Sequence, residues 1–76
     1  MYYELFYSTG GHSGRYDSWQ RAWENAIRRL WGDKSGKEMF VDIVDREFGT
    51  AQRLVLKPYG DVVLEYCPRK YRPGSP

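Results

Sequence analysis

The chain of 76 residues contains one cysteine and one histidine. A lone thiol at Cys67 excludes an intramolecular disulfide and a cysteine-only zinc site, and it favours a reducing compartment. The sequence also has no run of about 18 apolar residues, and its first segment, MYYELFYS, lacks the basic flank of a secretion signal. We therefore expect a cytoplasmic protein that does not span a membrane and holds no metal or other cofactor.

The net charge is also small, at +2, so composition alone does not require a polyanionic partner. A chain of this length forms one domain, and we assign residues 1–66 to a single α+β domain. The remaining residues, 67–76, read CPRKYRPGSP and have no hydrophobic periodicity. This composition predicts a flexible, basic, proline-rich tail.

Aromatic residues, in contrast, make up 17% of the chain, and all three tryptophans lie in the segment Asp17–Trp31. Apolar residues recur there at helical spacing, with charged residues on the opposite side. Asp17 has the position of an N-cap, and Gly32 has that of a left-handed C-terminal stop. The segment is predicted to be an amphipathic helix with a buried stripe of Trp19, Ala22, Trp23, Ala26, Ile27 and Leu30.

Four segments have the composition of β-strands. The glycine-rich segment Ser8–Arg15, between the first strand and the helix, is predicted as a loop. The resulting order, β-α-β-β-β, gives an α+β fold in which one helix packs on one face of a four-stranded, mostly antiparallel sheet. The predicted strands are Tyr2–Ser8, Glu38–Asp45, Ala51–Lys57 and Val62–Tyr66.

The helix that joins the first two predicted strands should return the chain through a right-handed crossover. These two strands are therefore expected to run in the same direction. The sequence leaves open whether strand one borders strand two or strand four.

Alternate residues along the strands separate into two sets, one of which is free of charge and is expected to face the helix. This helix-facing set is Tyr3, Leu5, Tyr7, Met39, Val41, Ile43, Leu54, Leu56, Val62, Leu64 and Tyr66. The other set mixes apolar and charged residues, and one helix covers only one face of a sheet. We expect this outer face to bind a protein partner, or a second copy of the chain, through Tyr2, Phe6, Phe40, Asp42, Val44, Arg53, Val55, Lys57 and Val63.

Two other constellations support alternative functions. Basic residues interleaved with aromatic ones suit single-stranded nucleic acid, and the candidates are Arg21, Arg28, Arg29, Lys34, Lys37, Arg69, Lys70 and Arg72. Glycines and hydroxyl groups just before a helix N-terminus can form an anion site, or the site of a small enzyme with a histidine base. The candidates for this loop site are Gly10, Gly11, His12, Ser13, Gly14 and Arg15.

The layout over residues 2–66 is strand, glycine loop, a helix that opens with D-S-W-x-x-A-W, and then a meander. It resembles that of small phage or mobile-element proteins, anti-CRISPR inhibitors among them. The resemblance implies a protein that occupies a surface of a larger nucleoprotein machine and has no chemistry of its own. A non-catalytic protein-binding module is therefore the first expectation, a nucleic-acid-binding module the second, and a small enzyme the third.

Overall fold

The computed structural model describes residues 2–72. It confirms the α+β class with one helix, but the sheet has five strands in the order β2-β1-β3-β4-β5, and all neighbours are antiparallel. The elements are β1 Tyr3–Tyr7, β2 His12–Tyr16, α1 Trp19–Gly32, β3 Phe40–Asp45, β4 Ala51–Leu56 and β5 Val62–Tyr66.

The additional strand, β2, lies in the segment that was expected to be a loop. It pairs with β1 at the edge of the sheet through a turn in which Gly10 has a φ of 103°. The register between these strands shifts at a bulge, where Gly14 has a φ of 79°. A Cβ on Gly14 would lie 2.3 Å from the ring of Tyr16. Glycine is tolerated here because an edge strand is paired on one side only and its bulge requires a positive φ.

The direction of β1 relative to β3 also differs from expectation. The two strands pair antiparallel, with Leu5 opposite Ile43, so the expected parallel crossover is wrong. The reason is that β2 reverses the chain once more before the helix begins. This pairing also settles the open choice of neighbour, because β1 borders β3 and not the last strand.

The helix is correctly located, but both of its ends are set by other residues than expected. Ser18, not Asp17, is the N-cap, since its Oγ accepts a hydrogen bond from the amide of Arg21 at 3.2 Å. Gly32 does not adopt a positive φ, and the chain turns at Asp33, whose carboxylate accepts from the amides of Ser35 and Glu38. The Ser35 hydroxyl and the Glu38 amide lower the pKa of Asp33 by donating to it.

The core lies between the helix and one face of the sheet, and most of the predicted helix-facing residues form it. Three members of that set are exposed instead: Met39 by 63%, Leu64 by 48% and Tyr66 by 86%. The helix packs on β1, β3 and β4, with a smaller contact to β2, so on β5 it leaves Leu64 and Tyr66 uncovered, whereas Val62 packs against the core. The buried core consists of Leu5, Tyr7, Ala22, Ala26, Leu30, Val41, Ile43 and Leu54.

The tryptophans contribute less to this core than the helical spacing suggests. Trp19 and Trp23 are only partly buried and stack on each other, with ring centroids 4.9 Å apart. The fully buried positions of the helix are Ala22, Ala26 and Leu30. Small side chains at the centre of the stripe allow the helix to approach the sheet closely, and the large rings lie at its margin.

Replacing Leu30 tests this assignment of the core. Leu30 is 1% exposed, so we expect Leu30→Ala to lower the free energy of unfolding by about 2–5 kcal/mol, because it removes buried methyl groups and leaves a cavity. Trp31→Ala, at the 64% exposed neighbour, should change it by less than about 1 kcal/mol. Urea unfolding followed by circular dichroism measures both. Similar losses in the two variants would show that the buried stripe is misassigned.

Candidate functional site

The outer face of the sheet is partly covered by the chain's own C-terminal segment. Residues 67–72 leave the end of β5 and cross this face, with Cys67 buried and the ring of Tyr71 centred 4.7 Å from that of Phe6. Burial raises the pKa of the Cys67 thiol. The segment expected to be a free tail therefore contacts the domain as far as Tyr71, and residues 73–76 lie outside the described part of the chain.

A buried carboxylate on β3 fixes this segment in place. Asp42 is fully buried, and Arg53 on β4 donates to it twice, from Nε to Oδ1 at 2.7 Å and from Nη2 to Oδ2 at 3.0 Å. The hydroxyl of Tyr71 donates to Oδ2 at 2.6 Å. The bond to Asp42 raises the pKa of Arg53, and burial together with the Asp42 hydrogen bond raises the pKa of Tyr71 to about 12. Asp42 is thus a satisfied internal acceptor.

The nine outer-face residues predicted to bind a partner therefore do not form one open patch. Asp42 and Val44 are fully buried, which corrects the expectation that they are exposed. Lys57 is held by Glu65 at 2.5 Å, and this hydrogen bond raises the pKa of Lys57. Tyr2 and Phe6 are half-buried beneath neighbouring side chains, Arg53 is bound to Asp42, and Phe40, Val55 and Val63 are half-buried.

The glycine loop does not lie at the helix N-terminus. Gly10 and Gly11 form the β1–β2 turn, where Tyr7 accepts from the Gly10 amide and donates its own amide to Gly11. The strand β2 separates this turn from the helix by five residues, or about 16 Å. His12 stacks on Phe6 at 5.5 Å. The loop and the helix dipole are therefore not combined into an anion site.

The other predicted loop residues also have structural partners. The hydroxyl groups of Ser13 and Tyr7 are hydrogen-bonded to each other, and the guanidinium of Arg15 lies 4.2 Å from the ring centroid of Tyr2. Gly14 occupies the bulge. None of these contacts gives His12 a nucleophile to activate, which is what an enzyme with this loop would require.

The predicted nucleic-acid residues are divided between the two faces of the sheet. Arg21, Arg28, Arg29, Lys34 and Lys37 lie on or just after the helix, whereas Arg69, Lys70 and Arg72 belong to the segment on the outer face. Arg29 is engaged internally, 3.8 Å from the ring centroid of Tyr7 and 3.4 Å from Glu38. The basic residues therefore form two separate groups.

A buried glutamate that the sequence did not single out joins three elements of the fold. Glu38 is 5% exposed and accepts hydrogen bonds from Ser8 and Thr9 after β1 and from Arg29 on the helix. Its own amide donates to Asp33 at 2.6 Å. Since every one of these contacts is internal, we assign Glu38 a structural role.

One cavity of the described residues has a volume of about 400 Å³. It lies between the start of the helix and the β3–β4 hairpin, where the Trp19 indole donates to Gln52 at 3.0 Å. Asp45 is its only titratable carboxylate, so the cavity offers no acid–base pair of the kind that hydrolysis uses. Its lining residues are Tyr3, Trp19, Ile43, Asp45, Thr50, Ala51 and Gln52.

The surface that sequence reasoning missed is on the helix. Trp23, Ile27 and Trp31 follow one another at intervals of four residues and line a shallow groove of about 280 Å³, flanked by Glu24 and Arg28. Trp23 and Ile27 are half-buried, and Trp31 is 64% exposed. We refer to Trp23, Ile27 and Trp31 as the tryptophan ridge. The signal for it was an apolar stripe that continues to Trp31, wider than one face of a sheet can cover.

Within residues 2–72, no three histidine, cysteine or acidic side chains are grouped so that they could hold a metal ion. No helix in the same range is long and apolar enough to cross a membrane. Comparison with protein-family models, curated proteins and solved structures found no match to this chain.

The bond between Tyr71 and Asp42 predicts a pH dependence of stability. The pKa of Tyr71 rises from 10.0 to about 12 on folding, so the unfolded chain ionises this phenol at lower pH than the folded protein does. The stability that Tyr71 adds is fully present below pH 10 and is lost as the pH rises toward 12. We expect the Tm difference between wild type and Tyr71→Phe to narrow above about pH 10.

Thermal unfolding followed by circular dichroism across this pH range measures the difference. Tyr59 is 71% exposed, so Tyr59→Phe serves as the control and should follow wild type at every pH. A Tm difference for Tyr71→Phe that stays constant up to pH 12 would show that the Tyr71–Asp42 bond is absent in solution.

Proposed function

We propose that this protein is a non-catalytic protein-binding module whose partner packs on the tryptophan ridge. The observation that supports this most directly is the exposure of Trp31, at 64% of its surface, beside the half-buried Trp23 and Ile27. An exposed tryptophan lowers the solubility of the free protein, and tryptophan is among the residues that most often dominate the binding energy of interfaces.

The surroundings of the ridge have the composition of a recognition site. Glu24 and Arg28 flank the groove and are exposed, so charged side chains of both signs surround an apolar centre. This is the arrangement of a hydrophobic interface core with a polar rim. The ridge stands on a regular helix anchored by Ala22, Ala26 and Leu30, which positions the side chains before binding and reduces the entropy lost on association.

Within this class, we propose that the module occupies a surface of a larger nucleoprotein assembly. The resemblance in layout to small phage and mobile-element proteins supports this mode of action. Such a protein would act by steric occlusion, because the binding of a rigid domain on a functional surface is enough to block it.

Replacement of Trp31 tests the proposal. The tagged protein should capture a defined partner from a lysate of its source cells, and Trp31→Lys should lose that partner, since a charge replaces the apolar anchor. Phe48 is equally exposed, at 65%, but lies outside the ridge, after β3. Phe48→Lys is therefore the charge-matched control and should retain the partner. Mass spectrometry of the captured proteins gives the readout.

The result after nuclease treatment separates the candidate functions. Capture that survives nuclease and depends on Trp31 supports the protein-binding module. Equal capture by wild type and Trp31→Lys would contradict the proposed surface, and capture that nuclease abolishes would favour binding to nucleic acid.

One observation supports nucleic-acid binding as a second candidate. On the outer face, Arg69 lies 5.5 Å from the ring centroid of Phe40, and the exposed Lys70 and Arg72 flank Tyr71. The acidic residues of this face, Glu4, Asp42 and Glu65, are paired with other cations. Cations beside aromatic rings are the usual elements of a single-strand binding surface.

This second candidate predicts a defined salt dependence. The affinity for a fluorescent single-stranded oligonucleotide should fall linearly with salt on a log–log scale, because phosphate contacts release counterions. Replacing Arg69, Lys70 and Arg72 with alanine should reduce the slope by about 2. Replacing Arg21, Arg28 and Lys34 on the other face should leave it unchanged. Binding without salt dependence, or none at low salt, would contradict this candidate.

A further inference from the structure

The strand β5 has an unpaired edge. Among residues 2–72, it is the last strand of the sheet and pairs only with β4. The amide of Lys57 donates to the carbonyl of Asp61 at 2.8 Å, so these two residues form a hydrogen-bonded pair. Along an antiparallel hairpin, such pairs alternate with pairs that are not hydrogen-bonded. Every second residue of β5 therefore directs its N–H and C=O groups away from the sheet. These residues are Val62, Leu64 and Tyr66.

The same three residues carry the apolar side chains on the helix side of β5. They lie opposite Leu56, Leu54 and Gln52 of β4. Val62 is half-buried against the core cluster, whereas the other two are exposed. Leu64 is 48% exposed and Tyr66 is 86% exposed. The free edge thus combines unsatisfied backbone groups with uncovered apolar side chains, which is the usual template for pairing with another strand.

The two edges of the sheet differ in how they are protected. The edge strand β2 contains Gly14 at a bulge and an exposed Arg15, both of which discourage pairing. The edge strand β5 contains no proline, glycine or register shift. Its one charged residue, Glu65, is neutralised by Lys57 at 2.5 Å. Of the two edges, only that of β5 is suited to accept a strand.

We propose that β5 pairs antiparallel with β5 of a second copy of this chain, centred on Leu64. Leu64 is the middle residue of Val62–Tyr66, and its backbone N–H and C=O groups point outward. The residues with outward-pointing backbone groups are therefore placed symmetrically about Leu64. In this register Leu64 faces Leu64, and Val62 faces Tyr66. All outward N–H and C=O groups find partners, through about six backbone hydrogen bonds.

The side chains of β5 are complementary to those of β5 in a second copy. On the helix side, pairing brings together leucine with leucine and tyrosine with valine, combinations that stabilise antiparallel pairs. On the outer side, Glu65 falls opposite Val63 of the second copy, so no like charges meet across the two-fold axis. An unrelated strand has no such built-in complementarity to this edge.

The pairing would create a continuous sheet with both helices on one face. The two-fold axis of an antiparallel pair is perpendicular to the sheet, so each helix lies on the same side and at the same distance from the axis. The two β3 strands would be about 24 Å apart, with β4 and β5 of both copies between them. The two tryptophan ridges would then flank a cleft floored by β5 residues.

Sedimentation equilibrium across the micromolar to millimolar range tests the pairing. We expect the wild type to be dimeric and Leu64→Lys to raise the dimer dissociation constant at least about tenfold, because it places two ammonium groups opposite each other. Trp31→Lys adds the same charge away from the edge and should remain dimeric while it loses the partner of the proposed function. A monomeric wild type, or a Leu64→Lys variant that dimerises normally, would overturn the inference.

Cross-linking gives a second measurement, which does not require the protein to tolerate a new charge at residue 64. Bonded antiparallel pairs have Cα atoms about 5.5 Å apart, which suits a disulfide. Leu64→Cys should therefore form a covalent dimer under mild oxidation. Wild type, in which Cys67 is buried, and Trp31→Cys should not. Failure of Leu64→Cys to cross-link would overturn the inference, and the proposed function would still stand if partner capture depends on Trp31.

Discussion

The width of the sheet relative to its single helix is the constraint on which the rest of this structure depends. Five strands span about 19 Å across, and one helix with its side chains has a diameter of about 10–12 Å. A helix of 14 residues therefore covers the central strands and leaves the outer part of β5 beyond its reach. The exposure of Leu64 and Tyr66 follows directly. The tryptophan ridge has a different cause, since the apolar stripe of the helix is wider than the sheet can cover.

The opposite face of the sheet is covered in a different way. No second helix is available there within the described chain, and residues 67–72 cover the centre of the face instead. The ion pair of Asp42 with Arg53 sets the position of this cover, since Tyr71 completes the hydrogen bonding of the buried carboxylate. A buried charge without all of these donors would be strongly unfavourable. The segment is thus tied to the sheet by a polar group and not only by apolar contact.

The proposed functions use separate parts of the molecule. In these proposals the helix would present the ridge to a protein partner and the edge of β5 would bind a second copy, whereas the outer face carries the cations beside Phe40 and Tyr71. The rigid sheet holds all three surfaces in fixed relation. If the β5 edges pair, each dimer presents two ridges to one target, which strengthens binding wherever the target offers two sites at matching distance.

The sequence by itself determined the α+β class, the helix, the three strands of the meander and the faces of β1, β3 and β4, because these follow from local periodicity and turn residues. It did not reveal β2, since a glycine-containing edge strand has no such periodicity and forms only when β1 provides a partner. Tertiary structure alone decided that Asp42 and Val44 are buried and that Trp31 and Leu64 are exposed. Exposure depends on which element covers a face, and that is a property of the assembled layers and not of the pattern along one strand.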